Sequence, residues 1–209
     1  GQPFTWARTD MFPKYTGPFL RATRLDAPAV IEVLLGQWWL TADGAKERVP
    51  QAKTYNARWE DLARRQSFRG PWARGQRCIV PAEIFYEPNW ETGRHVPWRF
   101  RPSDGSIWGL AGLWNEWTDP ATGEVHASYT LLTQNADHHP LMKRMHKPDP
   151  MLPPDAQDKR SVVPIPAADT ATWLFGSAAE AATVVRLAPA HWFDAGPDAP
   201  APDLQGSLL

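Results

Sequence analysis

Short apolar runs separated by turn-forming residues constrain the fold of this chain more than any other feature. Runs of this length, bounded by Gly, Pro, Asn and Asp, are typical of β-strands. Two strong turn signals, at residues 103–105 and 119–123, each predict the closure of a hairpin. The predicted strands span residues 30–35 continuing into 38–40, 78–86, 96–100, 107–114, 129–133 and 184–187.

The helices are predicted to be few and short, over residues 59–66 and 168–175. A chain of 209 residues is ordinary for one mixed domain. We therefore expect a single-domain α+β fold with a curved, barrel-like antiparallel β core. Residues 1–194 would form this domain. Residues 195–209 lack any periodicity, so they are predicted to be a disordered tail.

The charge distribution indicates a basic face on a nearly neutral protein. The formal net charge is -1, which gives no global attraction to nucleic acid. Between residues 46 and 77, however, the basic side chains are opposed only by Glu47, Glu60 and Asp61. Such a face is a candidate surface for a polyanion, although any single arginine in it could simply be solvated. The basic residues are Lys46, Arg48, Lys53, Arg58, Arg64, Arg65, Arg69, Arg74 and Arg77.

The single cysteine, Cys78, lies inside an apolar run and cannot form a disulfide within the chain. This fits a reducing compartment. No apolar stretch approaches the ~20 residues that a membrane span needs, and no signal peptide is visible. We expect a soluble, cytoplasmic protein that does not contact a membrane.

A single carboxylate, Glu87, ends the apolar run at residues 77–87 and is surrounded by Phe85, Tyr86 and Trp90. A carboxylate among aromatic rings loses hydration, which suits it to carry protons near neutral pH. The alternative is a glutamate at a strand end that pairs with an arginine.

Two polar residues precede the first predicted helix. Asn56 could cap that helix, since its side-chain oxygen can accept an N–H of the first turn. It could instead orient a group in a cleft, with Arg58 offering a planar fork of donors to a phosphate.

Three of the six histidines lie between residues 135 and 150. One interpretation is a metal site made by Asp137, His139 and His146, but no further ligand cluster is visible, so we expect neither a metal nor another cofactor. His146, beside Lys147, is better explained as a general acid/base or a phosphate contact. A loop histidine without a role is the remaining alternative.

Together these segments resemble the SRAP family, the SOS response-associated peptidases or abasic-site processing proteins. The resemblance covers roughly residues 12–174. The matching pieces, in order, are residues 55–60, 67–69, 77–82, 85–87, 110–114, 132–133, 135–137, and His146 followed by Pro150.

The resemblance implies a single domain with a barrel-like β core and a positively charged groove for single-stranded DNA, especially DNA with abasic sites. We expect the protein to be a monomer. In that family an N-terminal cysteine, exposed by self-removal of the initiator methionine, attacks the ring-opened aldehyde. Its α-amine forms an imine and its thiolate closes a thiazolidine ring. An α-amine titrates near ~8 and a thiol near ~8.5, so both are partly nucleophilic in cells.

By position, the resemblance makes Glu87 the acid/base for imine formation and ring closure. Asn56 would hold the N-terminal amine, and His146 would contact the sugar-phosphate and assist ring opening or reversal. Arg58 would grip a phosphate next to the lesion. Further DNA contacts are implied for Pro18, Arg64, Arg65, Arg69, Arg74, Thr133 and Lys147.

The chain departs from this pattern at its start, where residue 1 is Gly and not Cys. We expect either that an upstream segment is missing or that the protein is a relative that binds DNA without the nucleophile. Cys78 cannot substitute, because it has no free α-amine and is predicted to pack inside the sheet. The chain as given is therefore not expected to form the covalent adduct. Relatives often carry tryptophans where Gly44-Ala45 stand here, whereas the Trp38-Trp39 pair is predicted to be core.

Two other functions are compatible with the sequence. The first is a non-covalent module for single-stranded or branched DNA, in which bases stack on rings and phosphates contact cations. The second is a hydrolase for a small or peptide substrate with His146 and Glu87 as acid/base pair, which would lack a recognisable nucleophile.

Overall fold

The computed structural model describes residues 4–7, 9–23 and 30–198. Among these residues, ten strands and three α-helices form the fold. The strands are β1 (Thr16–Ala22), β2 (Ile31–Trp38), β3 (Asn56–Arg58), β4 (Arg77–Ala82), β5 (Phe85–Asn89), β6 (Val96–Pro102), β7 (Trp108–Thr118), β8 (Val125–Asn135), β9 (Arg160–Val162) and β10 (Phe193–Pro197). The helices are α1 (Gln66–Ala73), α2 (Thr170–Phe175) and α3 (Ala178–Thr183).

Five strands in the order β2-β1-β4-β7-β8 form a barrel. Neighbouring strands along this order are antiparallel. The barrel closes where β2 pairs with β8 in parallel, at Gln37 with Ser128 and Trp38 with Tyr129. The predicted barrel-like α+β core is thus confirmed, and its closure makes the sheet mixed. Strands β3 and β9 also pair with β8 and extend the sheet beyond the barrel.

A second sheet in the order β10-β6-β5 lies beside the barrel. The predicted strand at residues 78–86 is therefore two strands, because the chain leaves the barrel after Ala82 and enters the second sheet at Phe85. The second sheet also corrects the predicted tail. Ala195, Gly196 and Pro197 pair with β6 and are ordered, although their composition is that of a loop. Residues 199–209 of the predicted tail lie outside the described residues.

The barrel interior holds Phe19, Cys78 and Tyr129. Cys78 is completely buried, as predicted, and burial raises the pKa of its thiol. A buried neutral thiol is a poor nucleophile. The predicted core role of the tryptophan pair is also confirmed, since Trp39 is 7% exposed and the Trp38 indole donates to the Tyr55 carbonyl at 2.8 Å.

The helices cover the outside of the barrel. Helix α2 buries Trp173 in a large apolar cluster, and the predicted helix at residues 168–175 is confirmed. Arg77 belongs to this layer and not to a basic surface, because its buried guanidinium donates to the carbonyls of Trp173 and Gly176 at the end of α2. Among the described helices, none is long and apolar enough to cross a lipid bilayer.

Three other local predictions are wrong. The turn at residues 103–105 does not close a hairpin, because β6 pairs with β5 and β10 in the second sheet whereas β7 belongs to the barrel. Residues 59–61 form only a short 3-10 turn, and the helix that follows begins at Gln66. Residues 184–187 are not a strand; Val184 and Val185 pack into the core as a loop after α3, because burial against helices satisfies an apolar run without a partner strand.

Candidate active site

Glu87 and His146 contact each other, although 58 residues separate them in the chain. The Nε2 atom of His146 lies 2.9 Å from Oε2 of Glu87. The side chains are 33% and 17% exposed for His146 and Glu87, respectively, so the pair is partly dehydrated but open to a ligand. Glu87 lies in the middle of β5, and His146 follows a 3-10 turn at Met142–Arg144.

The backbone of His146 is tied to the strand that carries Glu87. The His146 N–H donates to the carbonyl of Pro88 at 2.6 Å, and Met145 forms an isolated bridge with Asn89. His146 has a φ of 62°, a left-handed conformation that is uncommon for a residue with a side chain. Such a conformation persists only where surrounding contacts hold it.

One of these contacts is a buried lysine. Lys159 is 6% exposed, and its Nζ atom donates to the His146 carbonyl at 2.7 Å. The Lys159 N–H in turn donates to the carboxylate of Asp137 at 2.9 Å, as the N–H of Asp158 does at 3.1 Å. Burial lowers the pKa of Lys159. The imidazole is therefore aimed at Glu87 by groups from β5 and from the segment that precedes β9.

The two ring nitrogens of His146 have different surroundings. The Nδ1 atom is buried without a hydrogen-bond partner, whereas Nε2 lies 2.9 Å from the carboxylate of Glu87. At this separation an imidazole and a carboxylate can exchange a proton, which suits the pair to acid–base chemistry.

Asn56 and Arg58 lie on one exposed face of β3, while Ala57 between them is completely buried. This alternation is the two-residue period of a strand, and β3 is held in strand conformation by its parallel pairing with β8. Asn56 does not cap a helix, because the residue at that cap position is Arg58 and no side chain caps the turn there. Both side chains line a cleft of about 370 Å³. Its other lining residues are Ala52, Lys53, Thr54, Asp61, Arg65, Gln66, Ser67 and Phe68.

The segment Asp158-Lys159 connects this cleft to the acid–base pair. Arg58 Nη2 lies 2.5 Å from Asp158 Oδ2, and the next residue holds the carbonyl of His146. Among the described residues, neither Glu87 nor His146 lines the cleft that holds Asn56 and Arg58. The structure thus places the predicted residues in two groups, Glu87 with His146 and Asn56 with Arg58.

Several predicted DNA contacts are exposed around these groups. Arg64, Arg65 and Arg69 project into solvent, and the first two share Asp61 as an ion-pair partner at 2.6 and 3.7 Å. Lys147 is exposed as well, with its ammonium 5.4 Å from the centre of the Trp90 ring.

Other predicted DNA contacts are paired or buried within the fold. Arg74 forms two hydrogen bonds with Asp43, at 2.8 and 2.9 Å, and one with Asn115. Thr133 is 6% exposed inside the sheet, so its side chain is a poor contact for a DNA strand. Pro18 is half-buried in β1, opposite Leu35 of β2, and this pairing does not connect it to the Glu87–His146 pair.

Sequence reasoning missed Asp158, Lys159 and Arg160. Arg160 donates to Glu60 at 2.7 Å and to the Thr133 carbonyl at 2.8 Å. These residues stand in the acidic half of the chain, and their partners are up to 100 positions away. No local sequence pattern predicts such contacts, because they form only when β9 pairs with β8 in the folded protein.

The metal interpretation is not supported. His139 is buried, with Nε2 on the Ala188 carbonyl and Nδ1 accepting from the N–H groups of Leu141 and Met142. The carboxylate of Asp137 accepts hydrogen bonds from the main-chain N–H groups of Asp158 and Lys159, just before β9. Among residues 4–7, 9–23 and 30–198, no three side chains of the metal-ligating types are grouped closely enough to hold an ion.

Comparisons with known proteins agree on one family. The family model of the SOS response associated peptidases (SRAP) matches residues 3–195. A solved protein from Bordetella bronchiseptica has 35% sequence identity and a TM-score of 0.81, over 93% of this chain and 89% of that one. A solved protein from Bacteroides thetaiotaomicron, 22% identical with a TM-score of 0.68, shares the fold.

Curated relatives carry a functional name. The abasic site processing protein YoqW of Bacillus subtilis is 30% identical over 61% of this chain and 56% of its own length. The abasic site processing protein HMCES of Gallus gallus is 28% identical over 59% of this chain and 44% of its own. The match thus spans about half the length of these curated relatives.

Proposed function

Because the chain belongs to the SRAP family, we propose that it recognises and processes abasic sites in single-stranded DNA, with Glu87 and His146 as its acid–base pair. The observation that carries the proposal is the 2.9 Å contact between these two side chains at the open edge of β5. Curated relatives that bear the name abasic site processing protein support the substrate.

The proposed chemistry needs a proton donor and acceptor at one carbon atom. An N-terminal amine adds to the C1′ aldehyde of the opened sugar, and one of the amine protons moves to the aldehyde oxygen. The resulting hydroxyl takes a proton from Glu87 and leaves as water, and the remaining amine proton returns to the Glu87 carboxylate, which leaves the imine. The cysteine thiol then adds its sulfur to the same carbon while its proton goes to the imine nitrogen, which closes the thiazolidine. Glu87 gives and regains the proton, and His146, 2.9 Å from its carboxylate, would assist these transfers.

Cys78, the single cysteine among these 209 residues, is buried and is not a candidate nucleophile. The nucleophile would be an N-terminal cysteine, as the resemblance to the family implies. Asn56 would orient the amine, and Arg58 would bind a phosphate beside the lesion.

A second candidate is a module that binds single-stranded DNA without covalent attachment. The exposed side chains of Arg64, Arg65 and Arg69 favour it, and Arg65 lines the cleft together with Asn56 and Arg58. Phosphate contacts of this kind need no nucleophile.

One experiment separates the two functions. The protein with its native N-terminus is incubated with a single-stranded oligonucleotide carrying one abasic site, and a denaturing gel reports covalent adduct. We expect an adduct, about 10²-fold slower or more for Glu87→Gln, the scale of general acid–base catalysis. Glu124→Gln, an exposed carboxylate in the β7–β8 turn, is the matched control and should react normally.

Binding without adduct, measured under native conditions, would leave the non-covalent module as the function. If the protein forms no adduct and shows no binding, both candidate functions are wrong.

A further inference from the structure

Asp158 occupies the place on Arg58 that a phosphate would take. The Arg58 side chain is 53% exposed and lines the cleft, and its guanidinium contacts the Asp158 carboxylate at 2.5 Å. A guanidinium fork fits a carboxylate and a phosphate equally well. The two anions therefore compete for one cation.

We propose that Asp158 determines ligand specificity by holding Arg58 in the free protein and yielding it to a phosphate of bound DNA. This inference rests on the proposed function, and it assigns a role to a residue outside the acid–base pair.

The surroundings of Asp158 make the exchange easy. Its second carboxylate oxygen accepts from Arg160 at 3.2 Å, so the carboxylate keeps a partner after Arg58 has left. Arg160 is only 15% exposed and is fixed by Glu60. The main chain of Asp158 is also fixed, because its N–H donates to Asp137 and its φ is 54°. Only the side-chain contact with Arg58 has to change.

This arrangement selects for extended polyanions. A single free phosphate must displace Asp158 with the help of Arg58 alone. A DNA strand brings several phosphates at once, and the exposed Arg65 and Arg69 can hold the strand while Arg58 exchanges its partner. Asp158 thus lowers the affinity for small anions more than the affinity for DNA.

The test uses fluorescence anisotropy with a labelled single-stranded oligonucleotide at about 50 mM and about 200 mM salt. Asp158→Asn should bind about two- to fivefold more tightly at the lower salt, the range of an exposed ion pair. Inorganic phosphate should also displace the oligonucleotide from Asp158→Asn at a lower concentration than from the wild type. The gain should be absent when Arg58→Ala is combined with Asp158→Asn. Asp155→Asn, an exposed acid before the same turn, is the matched control and should show no gain.

Asp158→Asn should fold, because asparagine tolerates the left-handed backbone and the main-chain bond to Asp137 remains. Thermal unfolding checks this, and Asp158→Ser supplies a second neutral variant with the same expected gain.

The outcomes are distinct. If the wild-type chain binds the oligonucleotide and neither neutral variant binds it more tightly, the inference about Asp158 is wrong and the proposed function is not affected. An equal gain in the Arg58→Ala background, or with Asp155→Asn, also overturns it. No binding by any form overturns the proposed function and the inference together.

Discussion

The ammonium group of Lys159 lies 2.7 Å from the main-chain carbonyl oxygen of His146, in a position where Lys159 is only 6% exposed. Among the described residues, no carboxylate forms an ion pair with it within 4 Å. A buried cation without an ion pair is costly. Its contact fixes the uncommon backbone of His146 and thereby the direction of the imidazole.

Lys159 should give the protein a characteristic pH dependence of stability. Burial lowers its pKa in the folded state from the usual 10.5. Between that lowered pKa and 10.5, the unfolded chain binds more protons than the folded chain, so the free energy of unfolding rises with pH. Below the folded pKa both states are charged and the burial cost is constant. The stability of the wild type relative to Lys159→Met should therefore increase as the pH rises toward 10.5.

Denaturant unfolding of both proteins across this pH range measures the difference. Lys147→Met is the matched control, because Lys147 is exposed; it should show no such trend. A difference between the wild type and Lys159→Met that does not vary with pH would contradict the burial of a charged lysine. Lys159→Met should also shift the imidazole NMR signals of His146. A change of packing far from His146 would leave these signals unchanged.

A second pH dependence is expected at the β5–β6 turn. Hydrogen bonds from Arg144 and Asn89 lower the pKa of Glu91 to about 2. A carboxylate with a lowered pKa contributes stability above its unfolded pKa, and the contribution is lost as the pH falls toward 2. Glu91 is 46% exposed, so solvent screening keeps the effect of Glu91→Gln to about 1 kcal/mol or less. Thermal unfolding should show this loss at pH 6 and little difference near pH 2, and an equal loss at both would refute the assignment.

Two arginines predicted from sequence as DNA contacts should behave differently. Arg65 is exposed beside the cleft, whereas Arg74 is held by Asp43 and Asn115. Arg65→Ala should weaken binding to single-stranded DNA and reduce the salt slope by about one. Arg74→Ala should leave the affinity nearly unchanged and lower the unfolding temperature, because it leaves the Asp43 carboxylate without its main partner. The opposite pattern would place the DNA at the other end of α1.

The sequence predicted the features that depend on local pattern. Most strands were found from apolar runs, and the tight turn at residues 119–123 does close the β7–β8 hairpin. Glu87 and His146 were predicted as site residues because a carboxylate among rings and a histidine in a turn are chemically unusual, and because the resemblance to a family joined the segments; the structure places the two side chains 2.9 Å apart.

The features that were missed depend on distant partners. Strand β1 contains Gly17 and Pro18, and β10 contains Gly196 and Pro197, so both resemble loops until a neighbouring strand pairs with them. The parallel closure of β2 on β8 has no local signature either. Lys159 is the clearest case, since its role arises only where its ammonium meets a carbonyl 13 residues away.

Gly112 should be essential for the barrel, because β7 and β8 approach each other closely there. A Cβ atom at Gly112 would collide with the carbonyl oxygen of Thr130 and would lie 2.9 Å from the Cys78 sulfur. The first contact is backbone and cannot move without disturbing the strand pairing. Gly112→Ala should therefore lower the free energy of unfolding by about 1–3 kcal/mol, the usual cost of overpacking.

Gly196→Ala is the matched control, since a Cβ there meets nothing within 4 Å. Urea unfolding of both variants gives the comparison, with Gly196→Ala expected near the wild type. If Gly112→Ala were as stable as the wild type, the two strands could not lie as close as the structure places them. Because β8 also carries β3 and β9, on which Arg58 and Arg160 stand, a barrel strained at Gly112 should weaken DNA binding together with stability.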